Sequence, residues 1–281
     1  MIRFSKSSWR AYMDRRLRHS YSAYLRAMQI SRTDLFIFVE GTQSDSYFYG
    51  RVCESTRGLR VRYEICMARQ LPGGAGGKQA LLNFFSFLRQ RRALVSLFAG
   101  RNTTCIFFLD KDLDDLQHKK KRSAHIVYTE HYDVQNYIFM HGNLLTAAAA
   151  AASVDPGRLR AELNDAPGWC RRIAELWREW IALCLCVSEE HISCQANYRV
   201  LSQVQTRPCG PVDAAKCGNL TRVAARKGRL PVADLRLKLA GTTSKVDKYY
   251  ARGQHHRVFK GKWFANVLAD DIDRIMAGLP Y

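Results

Sequence analysis

The sequence predicts an α/β protein: a parallel sheet flanked by helices, followed by a mainly helical C-terminal region. Three observations predict it. Two short runs of large β-forming residues, Leu35-Phe36-Ile37-Phe38-Val39 and Cys105-Ile106-Phe107-Phe108-Leu109, are apolar at every position, which is the pattern of strands buried on both faces. Helix-like patterns alternate with these and other short strand-like runs up to about residue 142. Beyond Asn143 the strand pattern stops and helical periodicity takes over.

Taken in order, Ser7 to Met28 reads as a basic helix with Arg10, Arg15, Arg16, Arg18 and Arg26 interleaved with Trp9, Tyr12, Tyr21 and Tyr24. Two readings fit it: an arm that grips a nucleic-acid backbone and stacks on bases, or an amphipathic helix whose aromatics pack on the sheet. After the strand at 35–39 a helix is expected near Ser46 to Ser55, then a strand at Val61 to Met67. The segment Pro72-Gly73-Gly74-Ala75-Gly76-Gly77-Lys78 reads as a loop, and Leu81, Leu82, Phe84, Phe85 and Leu88 as the apolar face of the next helix. The strand at 104–109 follows, and Ala124 to Tyr128 supplies a fourth.

Later, the six alanines Ala147 to Ala152 and the Trp-rich stretch Arg158 to Leu185 are helical, with loops expected around Pro208 to Gly218 and Gly241 to Lys245. The resulting division is a basic N-terminal helix at 1–32, an α/β domain at 33–142 and a helical region at 143–281.

Composition narrows the function classes. The chain carries 44 Lys and Arg against 25 Asp and Glu, a net charge of +19 spread along its length. Such a surface calls for a polyanionic partner, most simply nucleic acid, with an anionic membrane surface as the lesser option. No apolar stretch approaches the roughly 20 residues that cross a bilayer, and Met1 to Lys6 lacks the apolar core of a signal peptide. A cytoplasmic protein without a membrane partner is expected. Nine cysteines, an odd number without framework spacing, point to reduced thiols.

The candidate chemistry sits where the two apolar runs end. The first is broken by Glu40-Gly41, the second by Asp110-Lys111-Asp112-Leu113-Asp114-Asp115. Ligands of parallel sheets bind at the carboxyl ends of the strands, so both sets of carboxylates are expected on one rim. Crowded carboxylates repel unless a cation neutralises them, and hard oxygen ligands suit Mg²⁺ or Mn²⁺. Asp110 and Asp112 alternate just past the strand and form the expected metal pair. Asp114 is a further candidate ligand, although Asp114 and Asp115 also read as helix-start residues favoured by the dipole; a solvated βα turn is the alternative for the whole run. Glu40, aimed over the sheet by the turn at Gly41, is the expected general acid/base or second ligand.

Lys78, in its glycine-rich loop, is a candidate phosphate contact. It is not a Walker A lysine, because Pro72 and Gln79 stand where glycine and Ser or Thr are required. His191, Cys194, Cys209 and Cys217 are the residues from which a zinc site would be built, but no Cys-x-x-Cys pair supports one. Cys184 and Cys186 read as core thiols, and His255-His256, next to Arg257, Lys260 and Lys262, as a phosphate-binding or surface pair.

Phe38-Val39-Glu40-Gly41 with Asp45-Ser46-Tyr47-Phe48-Tyr49, then Gly76-Gly77-Lys78, then Leu109-Asp110-Lys111-Asp112 resemble the Toprim domain of topoisomerases, primases and OLD-type nucleases. With Tyr132-Asp133-Val134-Gln135-Asn136-Tyr137 and Gly261-Lys262-Trp263, the chain resembles a bacterial Toprim-related family that includes the nuclease effector of the PARIS anti-phage system. Two positions depart from that pattern. Ser44 stands where the family has Asp, with Asp45 one residue later, and Gln135 stands where the family has Glu. The resemblance implies a Toprim-like fold and a Mg²⁺-dependent phosphodiesterase cutting DNA or an RNA such as tRNA. It further implies Glu40 as catalytic carboxylate, Asp110 and Asp112 as metal ligands with Asp45 a further candidate, and Lys78 and Lys262 on phosphate. A role in anti-phage defence, a regulatory ATPase partner and a homo-oligomer follow from the same resemblance. The alternative is a non-catalytic nucleic-acid-binding or regulatory subunit that keeps the fold.

Overall fold

The structure is a computed structural model and describes residues 20–41, 44–56, 61–73, 76–198 and 204–278. It separates into two units. The first holds the described residues up to Lys111 together with Lys120–Thr129, and the second holds Asp112–Lys119 and the described residues from Glu130 onward. The chain thus enters the second unit at Asp112, returns to the first at Lys120 and stays in the second from Glu130.

The first unit is built on a five-stranded sheet. Its strands are β1 (Leu35–Val39), β2 (Tyr63–Met67), β3 (Val95–Phe98), β4 (Arg101–Leu109) and β5 (Ile126–Tyr128). The order is β2-β1-β4-β3, and β5 also pairs with β4. β1 lies parallel to both β2 and β4, with Val39 opposite Met67 and Phe108. β5 is parallel to β4, and only β3 runs antiparallel. Its described residues include helices α1 (Tyr21–Ile30), α2 (Ser44–Ser55) and α3 (Gly77–Gln90).

Side chains alternate between the faces of a sheet, and the two faces here are covered differently. Phe36, Phe38, Cys105, Phe107 and Leu109 form one core with Met28 of α1 and Leu81, Phe84, Phe85 and Leu88 of α3. Tyr21 and Tyr24 of α1 pack tilted and edge-on against Phe84 at 5.1 and 5.4 Å, so the described part of the basic helix uses its aromatics for packing. The rest of that expected helix, Ser7 to His19, lies outside the described residues. On the other face Tyr49 of α2 stacks on Phe108 at 4.3 Å.

β3 was not expected. Phe98 pairs with Arg101, leaving Ala99 and Gly100, both at positive φ (49° and 76°), as a two-residue hairpin turn. The segment after β4 also differs from expectation: Asp112 to His118 forms turns instead of opening a helix, with Asp112 and His118 in the left-handed region. Asp114 and Asp115 are therefore turn residues.

The second unit is helical. Its helices are α4 (Val134–His141), α5 (Leu144–Ala152), α6 (Pro156–Leu163), α7 (Ala166–Leu176), α8 (Arg178–Glu189), α9 (Ala214–Gly228), α10 (Val232–Ala251) and α11 (Lys262–Met276). Trp169, Trp177, Trp180, Cys184 and Cys186 are buried in its core, as the apolar stretch predicts. Gly241 to Lys245 is not a loop but the middle of α10. Thr242 and Thr243 return their hydroxyls to Lys238 and Leu239 carbonyls one turn back, and Lys245 pairs with Glu189 at 2.9 Å. Among the described residues no helix is long and apolar enough to cross a membrane.

Candidate functional site

Because β1 and β4 are adjacent, parallel and in register, their carboxyl ends stop side by side. Glu40 follows β1 and Asp110 follows β4, and the Asp110 N–H donates to Glu40 Oε1 at 2.8 Å. The two carboxylate residues expected on one rim are thus brought together. Asp110 is buried and Glu40 half-buried. One residue on, the Lys111 N–H donates to Thr129 Oγ1 at 2.8 Å, and the Thr129 N–H returns to the Leu109 carbonyl at 3.0 Å. Thr129 therefore pins the end of β4 from the β5 side, a role no sequence signal marks. Lys111 is 1% exposed, an unusual depth for lysine.

Asp45 lies in the first turn of α2, where a helix N-terminus favours negative charge. Its carboxylate accepts the Gly41 N–H at 2.6 Å and the Ser44 hydroxyl at 3.2 Å. A Cβ at Gly41 would overlap the Asp45 carboxylate, so an added methyl there would have to push that side chain aside. Asp45 thereby closes the strand-to-helix turn that carries Glu40. Lys78 stands at the start of α3, behind Gly76 and Gly77, both at positive φ.

The remaining candidates belong to the second unit. Asp112 has φ 49° and donates its N–H to the Tyr132 carbonyl at 2.8 Å. Asp110 and Asp112 fall in different units; within the first unit, Glu40 and Asp110 are joined through the Asp110 main chain. Asp114, also in this unit, accepts the Lys119 N–H on its carbonyl at 2.8 Å. Lys262 is exposed at the first position of α11.

Asp133 joins two distant pieces of the motif pattern. Its carboxylate caps α4 through the Asn136 N–H (3.2 Å) and takes Asn136 Nδ2 (3.0 Å). It also takes the N–H groups of Gly261 (3.2 Å) and Lys262 (3.4 Å) at the start of α11. Burial raises its pKa to about 6, against the nearby Lys262 charge and its main-chain donors, which lower it, while Asp112 adds to the rise.

His255 and His256 are not a surface pair. His255 is 4% exposed, and burial, then His256 and Arg171, lowers its pKa to about 4. His256 packs its ring on His131 at 4.2 Å, and His131 stacks on Tyr137 at 4.1 Å. The burial follows from the neighbouring Val258 and Phe259, both fully inside. No spacing of the scattered histidines signals this cluster.

Among the described residues, no group of three or more His, Cys, Asp or Glu side chains converges to hold a metal ion. That applies to His191, Cys194, Cys209 and Cys217 as well as to the acidic rim. What the rim presents is two adjacent acidic residues, Glu40 and Asp110, joined through the Asp110 main chain; hard carboxylate oxygens fit Mg²⁺ or Mn²⁺, which commonly take one or two protein carboxylates and complete their shells with water and substrate phosphate. The sequence matches no protein-family model and no curated protein.

Proposed function

We propose that the chain is a Mg²⁺- or Mn²⁺-dependent nuclease that hydrolyses phosphodiester bonds, with Glu40 and Asp110 at its reaction centre. The observation that supports this reading most is the hydrogen bond between Asp110 N–H and Glu40 Oε1, which sets two carboxylate residues from separate strands on one rim. Glu40 is held by that bond at the end of a rigid strand and serves as general acid/base or ligand. Asp110, and Asp112 by its place two residues on in the sequence, are the metal ligands, with Asp45 and Asp114 as further candidates. A bound cation there would activate water and offset charge developing on phosphate. Lys78, Lys262 and the basic surface hold the flanking phosphates.

The motif resemblance extends the proposal to an anti-phage effector of the bacterial cytoplasm. It would act as a homo-oligomer and be restrained by a regulatory ATPase partner.

A second reading, a binding or regulatory subunit without catalysis, is favoured by two features. Glu40 and Asp45 spend carboxylate oxygens on main-chain N–H groups, and no ready three-group cluster is formed among the described residues. The deciding experiment is cleavage of mixed DNA and RNA by purified protein with Mg²⁺ or Mn²⁺, beside Glu40→Gln and Asp110→Asn. Metal-dependent cutting should fall by about a hundredfold or more in both variants. Equal cutting by all three proteins would sink the site. Binding that survives chelation, with no cutting by any protein, would favour the regulatory subunit.

A further inference from the structure

The face of the sheet that carries Phe108 is only half covered within the first unit. Register places Val95 and Leu97 of β3 on that face, opposite Thr104 and Asn102, and Val127 of β5 opposite Phe108. α2 covers the Phe108 part through Tyr49. Val95, Leu97 and Val127 remain 52%, 71% and 43% exposed. β3 is also an end strand: no described strand pairs with its outer edge. The Leu94 carbonyl takes the Cys105 N–H, and the hairpin closes at Phe98 and Arg101. Antiparallel alternation therefore turns the main-chain groups of Val95 and Leu97 outward. The edge carries none of the usual protection, having no proline, no lysine and no bulge in Val95-Ser96-Leu97-Phe98.

Charge identifies the occupant. From Ile65 to Leu109 and from Lys120 to Thr129 there is no Asp or Glu. Arg91 and Arg92 precede the strand, Arg101 follows it, and Lys120, Lys121 and Arg122 lead into β5; all but the half-buried Arg101 are exposed.

We infer that β3 is a docking edge for an extended acidic segment of a partner protein. The segment adds as the next strand, with alternate apolar side chains over Val95 and Leu97 and carboxylates against the flanking arginines and lysines. Exposed strand edges recruit peptides in this way, the main chain giving affinity and alternate side chains specificity. A nucleic acid fits less well, since it would leave the outward amides of the edge and the aliphatic side chains without complementary groups.

The test is selection of random displayed peptides on the full-length protein, followed by titration of labelled winners. Winners should be acidic with apolar residues at alternate positions. Leu97→Lys, which sets a charge on the edge, and Leu97→Pro, which deletes an outward N–H, should each weaken them by about tenfold or more. Arg92→Glu should weaken them less, and circular dichroism should show all three variants folded. The proposal is overturned if the selected peptides lack acidic bias, or if they bind Leu97→Lys as well as they bind the parent. It is equally overturned if Leu97→Lys instead splits a homo-oligomer, or abolishes binding of a single-stranded oligonucleotide while sparing the peptides.

Discussion

In the sheet unit, Asp45 takes the N–H of Gly41, four residues before it. In the helical unit, Asp133 takes Gly261, 128 residues away, as well as Asn136 and Lys262. Both residues are buried, at 2% and 1% exposure, and both lie where a Cβ on a neighbouring glycine would press on them. Their consequences differ. Asp45 shapes a local turn whose other product is the placement of Glu40. Asp133 gathers the start of α4 and the start of α11, so it holds together a fold that local sequence does not specify. A buried acid near glycine thus has two uses, and the reach of its hydrogen bonds separates them.

The sharpest way to break this comparison is at the glycines. A Cβ at Gly261 would overlap the main-chain nitrogen of Asn136 as well as Asp133 Oδ1, and would lie 2.9 Å from Asn136 Nδ2. Backbone cannot step aside as a side chain can. Gly261→Ala should therefore destabilise the protein by about 3 kcal/mol or more. A shift in denaturant midpoint measures it, and a cost below about 1 kcal/mol would show that the junction is loose.

The second prediction uses the charge on Asp133. Its pKa is raised to about 6 from 3.8, so its contribution to stability is complete below pH 3.8 and is lost as pH rises through about 6. His255 is lowered to about 4 from 6.5, so its contribution is complete above pH 6.5 and is lost as pH falls through about 4. Each amounts to about 3 kcal/mol, and over their common window they oppose. The parent should therefore change little between about pH 4 and about pH 6. Asp133→Asn, keeping one acceptor oxygen, should lose stability on acidification. His255→Leu should gain it. Unfolding free energies across that range decide the matter, and slopes of the same sign in both variants would refute the assignment.

How much of this was legible follows the same division between local and distant contacts. β1 and the second half of β4 (Cys105–Leu109) announce themselves because each is apolar at every position, and the adjacency of Glu40 and Asp110 follows because each residue ends such a run. The β3–β4 hairpin does not, because its turn is Ala99-Gly100 where the usual signal is Asn-Gly. The acids after β4 suggest a helix start, yet Asp112 and His118 adopt left-handed φ and the chain passes into the other unit. Asp133 and Gly261 are both visible in the motif pattern, but nothing in their spacing says that they meet. His255 reads as surface because Arg257, Lys260 and Lys262 surround it in sequence, whereas Val258 and Phe259 carry it inside.

The smallest effect is also the one that separates the two acids most cleanly. At Gly41 the three nearest atoms a Cβ would meet belong to the Asp45 side chain, which can rotate away after losing one hydrogen bond. Gly41→Ala should cost about 1–2 kcal/mol. In an Asp45→Ala background the obstacle is gone, so most of that cost should vanish and the double-mutant cycle should show strong coupling. The parallel cycle of Gly261→Ala with Asp133→Ala should show weaker relative coupling, because the Asn136 main-chain nitrogen still blocks the added Cβ. Denaturant titration of both sets of variants compares them directly. Equal fractional coupling in the two cycles would mean that the Gly261 site also yields through its side chain, and the distinction between a local turn and a long-range clasp would fall.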